Sequence, residues 1–308
     1  MRIVVSEFMD ERAVARLVAV HDVLYEPALV DDAARLQREA AGADAIVVRN
    51  RTQVRGELLA ALGRCKVVGR LGVGLDNIDV DACTARGIEV IPATGANALA
   101  VAEYVVGTAM LLLRGAYLST AEVAAGRWPR NALSSGRETG GKTLGLIGFG
   151  SIGRETARLA RGLGMRIVAF DPALAAGDGA FADHGVERVE LAALLAESDV
   201  VSLHVPLVTG TRNLLDAARI AAMKPGAVLI NTARGGIVDE AALVAALRGG
   251  ALGGAAIDVF EAEPLAAGSP LADCPRLLLT PHIAGVTVEA NERVSFLIAD
   301  KVIAALNR

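Results

Sequence analysis

The sequence is poor in aromatic residues and in cysteine. Aromatic side chains occupy 3% of the 308 positions, so any core is built mainly of Ala, Val, Leu and Ile. The cysteines Cys65, Cys83 and Cys274 form no CxxC pair and lack the spacing of metal ligands. This pattern favours reduced thiols in a cytoplasmic protein. We therefore expect neither a disulfide framework nor a bound metal.

A strong net charge and a long hydrophobic run are also missing. Lys and Arg number 31 against 35 Asp and Glu, a net charge of −4, which gives no reason to expect nucleic acid or an anionic membrane as partner. The amino terminus lacks the apolar core of a signal peptide. The longest apolar candidate, Tyr104–Leu113, is flanked by charges and is far shorter than the ~20 residues of a membrane span.

Short β-rich runs that alternate with helical segments are abundant. Five such runs lie between Ile3 and Ile91, and their alternation with helices predicts a parallel sheet covered on both faces. Six more follow from Thr143 to Leu279, in the pattern of a doubly wound nucleotide-binding domain. A chain of this length accommodates two domains. We predict an α/β protein with two parallel-sheet domains, one flavodoxin-like and one of the Rossmann type.

The predicted domain boundaries make the first domain discontinuous. Residues 1–96 and 287–308 are assigned to the flavodoxin-like domain, and residues 97–286 to the Rossmann-type domain. The reason is that the last helical segment, from Val288 to Arg308, has no strand after it. We expect it to return to the first domain.

A long apolar helix is predicted at the start of the second domain. Asn97 is a suitable N-cap because its amide oxygen can accept from the first turn, and the apolar pattern reaches Tyr117. Because the helix is apolar nearly all round, a domain junction or a subunit interface must cover it. The polar loop with Trp128, Arg130 and Arg137 follows, and we expect it to pack at the interface of a homodimer or to cap the neighbouring subunit's cleft.

A GxGxxG string at residues 148–153 directly follows the apolar run Leu144–Ile147 and opens a helix. Its glycines permit a tight turn and let backbone amides approach a pyrophosphate at the helix N-terminus. Asp171 ends the next run, where a carboxylate accepts hydrogen bonds from the adenosine ribose. The three residues after Asp171 include no arginine that could accommodate a 2′-phosphate. The string therefore predicts NAD rather than NADP as the cofactor.

Ionisable side chains follow three consecutive runs of the second domain. They are Arg234, then the carboxylates Asp258, Glu261 and Glu263, and finally His282. Ligands of such sheets bind at the carboxyl ends of the strands. Reduction of a 2-keto acid needs a cation for the carboxylate, a proton donor, and a group that orients the donor. A lone Arg or His is more often structural, but this combination beside a dinucleotide fingerprint favours catalysis by Arg234 and His282.

At these residues the sequence resembles the D-isomer-specific 2-hydroxyacid dehydrogenase family, in the branch that includes phosphoglycerate dehydrogenases. The matching strings are GRLGVGLDNID (69–79), GAN…VAE (95–103), LGLIGFGSIGRE (144–155), HVPL (204–207), NTARGGIVDE (231–240), AIDVFEAEP (256–264) and TPHIAG (280–285). The resemblance implies Arg234 as the catalytic arginine and His282 as the acid/base. It also implies Glu263, and not Glu261, as the partner of His282.

The same resemblance implies the binding residues. Those implied for NAD are Val73, Gly148, Gly150, Ser151, Ile152, Gly153, Asp171, Val205, Pro206, Thr232, Ala233, Arg234, Asp258, His282 and Ala284. Those implied for the substrate are Arg49, Arg70, Gly72, Val73, Gly74, Asn97, Arg234 and His282. His204 belongs to the family pattern as a cofactor-pocket or structural residue. Two departures are Ala98, where many members have Ser, and a chain that ends without space for the regulatory domain of longer phosphoglycerate dehydrogenases.

Arginines that follow strands of the first domain bear on the choice of substrate. The resemblance to phosphoglycerate dehydrogenases implies that Arg49 and Arg70 hold a second anionic group, which fits a hydroxy acid with a distal phosphate, sulfonate or carboxylate. The string 69–102 is also similar to sulfolactate dehydrogenases of this family. Each arginine, including Arg51, has the alternative of a surface or interdomain salt bridge.

The predicted function is therefore hydride transfer between NAD(H) and a small 2-hydroxy or 2-keto acid. Alternatives within the same fold are a glyoxylate or hydroxypyruvate reductase and a formate dehydrogenase, although the latter pairs its His with Gln where this chain has Glu263. An alternative of another class is an NAD(H)-sensing corepressor, in which the cofactor drives partner recruitment. The absence of extended tails and of a basic face argues against this hypothesis.

Overall fold

The computed structural model describes residues 1–175 and 177–308, which form two compact units. The first consists of Met1–Asn97 and Val286–Arg308, and the second of Ala98–Gly285. The predicted junctions, between 96 and 97 and between 286 and 287, each lie one residue from these boundaries.

A parallel five-stranded sheet forms the centre of the first unit. Its strands are β1 (Arg2–Val5), β2 (Asp22–Tyr25), β3 (Ala45–Val48), β4 (Val67–Arg70) and β5 (Glu89–Pro92). Their order in the sheet is β2-β1-β3-β4-β5, and every neighbouring pair is parallel. All four residues of β3 are buried, as expected for a strand that helices cover on both faces. The predicted flavodoxin-like arrangement is confirmed.

Helices cover this sheet, and aspartates cap several of them. Those of the first ninety residues are α1 (Glu11–Val18), α2 (Ala33–Ala41), α3 (Gly56–Ala61) and α4 (Val80–Ala85). The side chains of Asp10, Asp32 and Asp79 each accept a hydrogen bond from an amide of the first turn. Such caps satisfy backbone donors that the helix itself leaves unpaired.

A parallel seven-stranded sheet forms the centre of the second unit. Its strands are β6 (Thr143–Ile147), β7 (Arg166–Phe170), β8 (Glu187–Arg188), β9 (Val200–Leu203), β10 (Val228–Asn231), β11 (Gly254–Ile257) and β12 (Leu277–Leu279). They follow the order β12-β11-β10-β9-β6-β7-β8, which reverses direction between β6 and β9. This is the predicted Rossmann topology, with its switch point at β6. The edge strand β8, which has only two residues, was not predicted.

The remaining helices lie between and around these strands. They are α5 (Ala98–Arg114), α6 (Thr120–Ala124), α7 (Ser151–Gly162), α8 (Gly179–Asp183), α9 (Leu191–Glu197), α10 (Ala217–Ala221), α11 (Glu240–Arg248) and α12 (Val288–Leu306). Several have only five or six residues, which is too short for a repeat of apolar positions to reveal them in the sequence.

Two expectations about α5 are wrong. The helix ends at Arg114 and does not reach Tyr117, because Gly115 adopts a left-handed conformation with φ 69°, the usual way to end a helix. Asn97 does not cap it either: its Oδ1 is buried and accepts no hydrogen bond from the described residues. Over the part of the chain that the structure describes, no single helix is long and apolar enough to cross a membrane, and only the pair Ala98–Arg114 and Ala116–Ala124, bent by 69°, would qualify together.

Helix α12 belongs to the core of the first unit. Its buried side chains Val294, Ile298 and Val302 join a cluster that includes Ile3 and Val47 from the sheet. Thr287 caps the helix by accepting from the amide of Ala290 at 3.0 Å. The last segment of the chain therefore completes a core that the first segment begins.

Gly69 of β4 should be indispensable for this packing. A Cβ atom at this position would lie 2.8 Å from Ile298 Cγ2 and 2.9 Å from Val302 Cγ2, closer than carbon atoms pack. We expect Gly69→Ala to lower the free energy of unfolding by about 1–3 kcal/mol, the usual cost of overpacking a core. Thermal unfolding measures this, with Gly63→Ala as the control, since a Cβ there meets nothing nearer than Ala61 O at 4.0 Å. Equal midpoints for the two variants would contradict the packing described.

Candidate active site

The glycine-rich loop between β6 and α7 makes a tight turn. Gly148 has φ 97°, and a Cβ on it would collide with the carbonyl of His204. A Cβ on Gly153 would collide with the carbonyl of Gly148. Both positions therefore require glycine, one for the turn and the other for close packing of the helix against it.

Gly150, by contrast, faces open space. A Cβ at this position would meet no atom of the described residues within 4 Å, and none of their side chains caps the N-terminus of α7, which begins at Ser151. Uncapped amides at the start of a helix, with room in front of them, are suited to a pyrophosphate. The loop thus fits the phosphates of a dinucleotide.

Asp171 lies just after β7 and contacts the glycine-rich loop. Its Oδ2 accepts from the amide of Phe149 at 2.8 Å, and its Oδ1 accepts from the amide of Ala173 at 2.9 Å. A carboxylate has about four acceptor positions, so two backbone bonds leave capacity for ribose hydroxyls. The residue thus has a local structural role and is compatible with the predicted cofactor role.

Unpartnered polar atoms follow β9 and β10. The hydroxyl of Thr232 and both ring nitrogens of His204 are buried and have no hydrogen-bond partner among the described residues. Burial lowers the pKa of His204 to about 4, so its ring is neutral near pH 7. Buried polar atoms without hydrogen-bond partners are uncommon in folded proteins, so these atoms are suited to bind a ligand. Val205, Pro206 and Ala233 lie on the same two segments.

His282 and Glu263 form a pair. The Nδ1 atom of His282 lies 2.8 Å from Oε2 of Glu263, with the two side chains 47% and 37% exposed. The other carboxylate oxygen, Oε1, accepts from the amide of Phe260 at 3.1 Å, which fixes the carboxylate on its own loop. His282 itself has φ 52°, a left-handed conformation that is uncommon for residues other than glycine.

Glu261 and Glu263 both follow β11, and the structure distinguishes between them. It is Glu263 whose carboxylate reaches His282. The backbone of Glu261 is tied elsewhere, since its amide donates to Oε1 of Glu240 at 2.9 Å. The contact with His282 is therefore made by Glu263, and its part in catalysis stays a prediction.

Arg234 follows β10 on a loop that Asn231 holds. The Oδ1 atom of Asn231 accepts from the amide of Ala233 at 3.0 Å, and its Nδ2 donates to the carbonyl of Arg234 at 3.0 Å. Asn231 is buried, so these bonds are shielded from water. The guanidinium of Arg234 donates to the carbonyl of Ala233 at 2.6 Å. Sequence reasoning missed Asn231 as the residue that shapes this loop.

Asp258, at the end of β11, fixes the loop that carries His282. Its Oδ1 accepts from the amide of Ile283 at 2.8 Å, and its Oδ2 from the amide of Ala284 at 2.9 Å. Its backbone carbonyl accepts from the amide of His282, also at 2.8 Å. Asp258 is 1% exposed, so a buried carboxylate is satisfied here by backbone donors. The resemblance implied a cofactor contact for this residue, and the structure adds a structural role.

In the first unit, a buried glutamate orders the segment after β3. The Oε1 atom of Glu7 accepts from the amides of Arg49 and Thr52, each at 2.9 Å, and Oε2 accepts from the amide of Arg51 at 3.1 Å. Asn77 adds bonds from its Nδ2 to the carbonyls of Arg49 and Thr52. Neither Glu7 nor Asn77 was singled out from the sequence, because each acts on residues far along the chain.

The three arginines proposed from the sequence differ in their surroundings. Arg49 is half-buried, its guanidinium donates to Oδ1 of Asn291 at 2.7 Å, and burial lowers its pKa. Arg70 lies at the end of β4, paired in register with Val48 of β3, so Arg49 and Arg70 share one edge of the sheet. Its side chain covers Gly72, where a Cβ would collide with it. Arg51 instead forms an exposed ion pair with Asp31, the surface alternative.

The structure places the predicted residues of each unit as follows. In the second unit, Arg234, Asp258 and His282 follow the adjacent strands β10, β11 and β12, at one edge of the sheet. In the first unit, the 71–74 segment, with Val73 and Gly74, follows β4. Within residues 1–175 and 177–308, no group of three or more His, Cys, Asp or Glu side chains is arranged to hold a metal ion.

Comparison with known proteins gives matches over the whole chain. Residues 106–284 match the family described as D-isomer specific 2-hydroxyacid dehydrogenase, NAD binding domain. A (S)-sulfolactate dehydrogenase from Chromohalobacter salexigens is 57% identical over 305 residues, which cover 99% of this chain and 98% of that one. A hydroxypyruvate reductase from Thermotoga maritima is 42% identical over 84% of this chain and 83% of its own length.

The chain belongs to the D-isomer specific 2-hydroxyacid dehydrogenase family. Its structure agrees: a D-lactate dehydrogenase from Aquifex aeolicus, solved with NAD and lactic acid, superposes with a TM-score of 0.85 at 29% identity, over 100% of this chain and 96% of that one. This D-isomer specific 2-hydroxyacid dehydrogenase is thus an NAD-linked oxidoreductase of 2-hydroxy acids. The glycine-rich loop, Asp171 and the unpartnered atoms of His204 and Thr232 fit the cofactor.

Gly150 offers a test of the phosphate site of this dehydrogenase. Gly150→Ala should fold normally, because its Cβ meets no protein atom within 4 Å, but the methyl group would fill the space proposed for the pyrophosphate. We expect the Kd for NADH to rise about tenfold or more, equivalent to the loss of roughly one phosphate hydrogen bond. Fluorescence titration measures the Kd. Gly162→Ala, near the end of the same helix and equally open, is the control. Unaltered affinity in Gly150→Ala would mean that the pyrophosphate binds elsewhere.

Proposed function

We propose that this dehydrogenase oxidises a 2-hydroxy acid whose far end carries a sulfonate, or reduces the corresponding 2-keto acid. The observation that carries this choice is the pair Arg49 and Arg70 at the ends of adjacent strands β3 and β4. Two cations at one sheet edge suit a small oxyanion, since guanidinium groups bind such anions through several parallel hydrogen bonds. The (S)-sulfolactate dehydrogenase that shares 57% of residues supports sulfonate over phosphate.

In the proposed reaction, His282 handles the proton of the substrate hydroxyl. Because its Nδ1 lies against Glu263, that nitrogen carries the hydrogen of the bond, and Nε2 is left to take a proton from the hydroxyl during oxidation. The positive charge that then develops on the ring is stabilised by the adjacent carboxylate. Arg234 binds the substrate carboxylate and polarises the carbonyl during reduction. The glycine-rich loop and Asp171 would hold NAD(H), which would supply the hydride acceptor in oxidation and the hydride donor in reduction.

Glu263→Gln tests the acid/base pair. A glutamine keeps the size of the side chain but not the charge that stabilises the imidazolium, so we expect kcat to fall about tenfold to a hundredfold. The Kd for NADH should be unchanged. The matched control is Glu261→Gln, two residues earlier on the same loop, which should retain wild-type kcat. If instead Glu261→Gln is impaired and Glu263→Gln is not, the pair has been assigned to the wrong carboxylate.

Arg49→Met tests the distal anion. We expect kcat/KM for sulfolactate to fall about tenfold to a hundredfold, because a charged hydrogen bond contributes roughly 1.5–3 kcal/mol. For D-lactate, which has no distal charge, kcat/KM should change by less than about twofold. The control is Arg51→Met, which removes an arginine that pairs with Asp31 on the surface. Equal losses with both substrates would show that Arg49 does not recognise the distal group.

Hydroxypyruvate reduction is the second candidate, because of the relative with 42% identity. The far end of hydroxypyruvate is an uncharged hydroxymethyl group, so this reaction makes no use of a distal cation. Steady-state rates with sulfopyruvate, 3-phosphohydroxypyruvate and hydroxypyruvate therefore separate the choices. A higher kcat/KM for sulfopyruvate than for the other two is expected, and a preference for hydroxypyruvate would replace the sulfonate proposal.

We further propose that the protein is a cytoplasmic homodimer. Large apolar side chains are exposed from the end of α5 onward, with Tyr117 66% and Trp128 78% accessible. Leu118 and Val123, between them in sequence, are exposed as well, and several large exposed apolar side chains on one short segment are typical of a protein interface. All three cysteines are free, which suits a reducing compartment. Sedimentation at micromolar concentration should give the mass of a dimer, and a monomer would refute this arrangement.

A further inference from the structure

A chain of hydroxyl groups leads from α5 to the loop that carries His282. The hydroxyl of Tyr104 lies 2.7 Å from Oγ1 of Thr280, and that Oγ1 lies 2.6 Å from Oδ1 of Asp258. All three residues belong to the second unit, and Thr280 is two residues before His282. Neither Tyr104 nor Thr280 has a part in the reaction described so far.

The direction of these hydrogen bonds follows from the chemistry of the groups. An ionised carboxylate only accepts, so the single hydroxyl hydrogen of Thr280 is donated to Asp258. The hydroxyl of Tyr104 must then donate to Oγ1 of Thr280. Burial and the nearby Asp258 raise the pKa of Tyr104, while the bond to Thr280 lowers it, and the net effect is a rise. Tyr104 therefore keeps its proton and remains a donor at neutral pH.

Asp258 is the point where the chain meets the His282 loop. In addition to the Thr280 hydroxyl, it accepts from the amides of His282, Ile283 and Ala284. His282 sits within this set of bonds in a left-handed conformation, which costs energy for a residue with a side chain. Such a conformation persists only where the surroundings determine it. The Oδ1 atom that Thr280 contacts is also the acceptor for Ile283, so the two bonds are coupled.

We propose that Tyr104 and Thr280 are positioning residues for His282, acting through Asp258. They hold the carboxylate in the orientation in which it accepts from the loop amides, and so hold the imidazole at Glu263. A tyrosine hydroxyl with a merely structural role would stabilise α5 without affecting turnover. The inference rests on the proposed acid/base role of His282, and it adds two residues to those that the reaction requires.

Thr280→Val is the first test, because valine matches threonine in shape and removes both bonds of the chain. We expect kcat for 2-keto acid reduction to fall about tenfold, since misplacing a catalytic group by a fraction of an ångström already costs rate. The KM for the keto acid and the Kd for NADH should change by less than about twofold. Thr280→Ser, which keeps the hydroxyl, should restore kcat to within about twofold of wild type.

Tyr104→Phe and the double variant test the order of the chain. Tyr104→Phe removes only the outer bond, so we expect a decrease in kcat of about threefold. Tyr104→Phe combined with Thr280→Val should be no slower than Thr280→Val alone, because Tyr104 acts only through Thr280. Thr108→Val is the matched control: it removes a hydroxyl one turn further along α5 that, among the described residues, bonds only to the carbonyls of Tyr104 and Val105, and it should have wild-type kcat.

Several outcomes would overturn the inference. Wild-type kcat in Thr280→Val, no rescue by Thr280→Ser, or additive losses in the double variant would each show that the hydroxyl chain does not position His282. If Thr280→Val does not fold, a wild-type kcat in Tyr104→Phe decides against the inference in the same way. The result for Glu263→Gln separates the two proposals. Wild-type turnover in Glu263→Gln removes the acid/base pair and this inference with it, whereas impaired Glu263→Gln beside unimpaired Thr280→Val and Tyr104→Phe removes only the inference.

Discussion

The placement of His282 depends on one buried carboxylate, that of Asp258. Asp258 is 1% exposed, and its side chain accepts hydrogen bonds from Thr280, Ile283 and Ala284. The backbone carbonyl of the same residue accepts from the amide of His282. A buried charge is tolerated only when such donors surround it, and removing one donor leaves the carboxylate without one of the hydrogen bonds that compensate its burial. The same bonds that compensate the burial of Asp258 thus also fix the backbone of His282, the residue proposed to handle the proton.

The first unit uses the same arrangement at the end of its own strands. Glu7 is 4% exposed, and its two oxygens accept from the amides of Arg49, Arg51 and Thr52. Here the ordered segment carries a cation instead of an imidazole. In both units the sheet supplies a rigid edge, and a buried carboxylate at that edge gives a loop one conformation. The candidate functional side chains thus lie on backbone segments with little conformational freedom, which keeps the site preorganised.

The fold was predictable because its signals are local. Continuous apolar runs such as Ala45–Val48 reveal strands of a buried parallel sheet, and the order of the chain then places the ends of β10, β11 and β12 at one edge. The residues of the candidate site follow those strands directly, so a search for polar groups after each apolar run finds Arg234 and His282. The choice of Glu263 over Glu261 needed a resemblance, because both follow the same strand and only the path of the loop separates them.

The residues that could not be predicted from the sequence form hydrogen bonds with partners that lie far away along the chain. Tyr104 and Thr280 are 176 residues apart, and Glu7 meets the amides of a segment more than 40 residues away. Hydrogen bonds between such distant residues produce no periodic pattern in the sequence. The cap assigned to Asn97 was wrong for a related reason: residue type alone favours a cap, but its buried oxygen accepts nothing from the described residues. Buried polar residues with distant partners are therefore the part of the site that only the structure reveals.

The acid/base role of His282 is tested most directly by the single-turnover rate of hydride transfer from NADH in His282→Ala, measured together with the Kd for NADH. We expect the rate with the preferred 2-keto acid to fall by about a hundredfold or more, the usual contribution of a positioned acid/base. The Kd should stay within about twofold of wild type, because the glycine-rich loop proposed for the phosphates is unchanged. A rate close to that of the wild type would refute this role, since some group other than His282 would then move the proton.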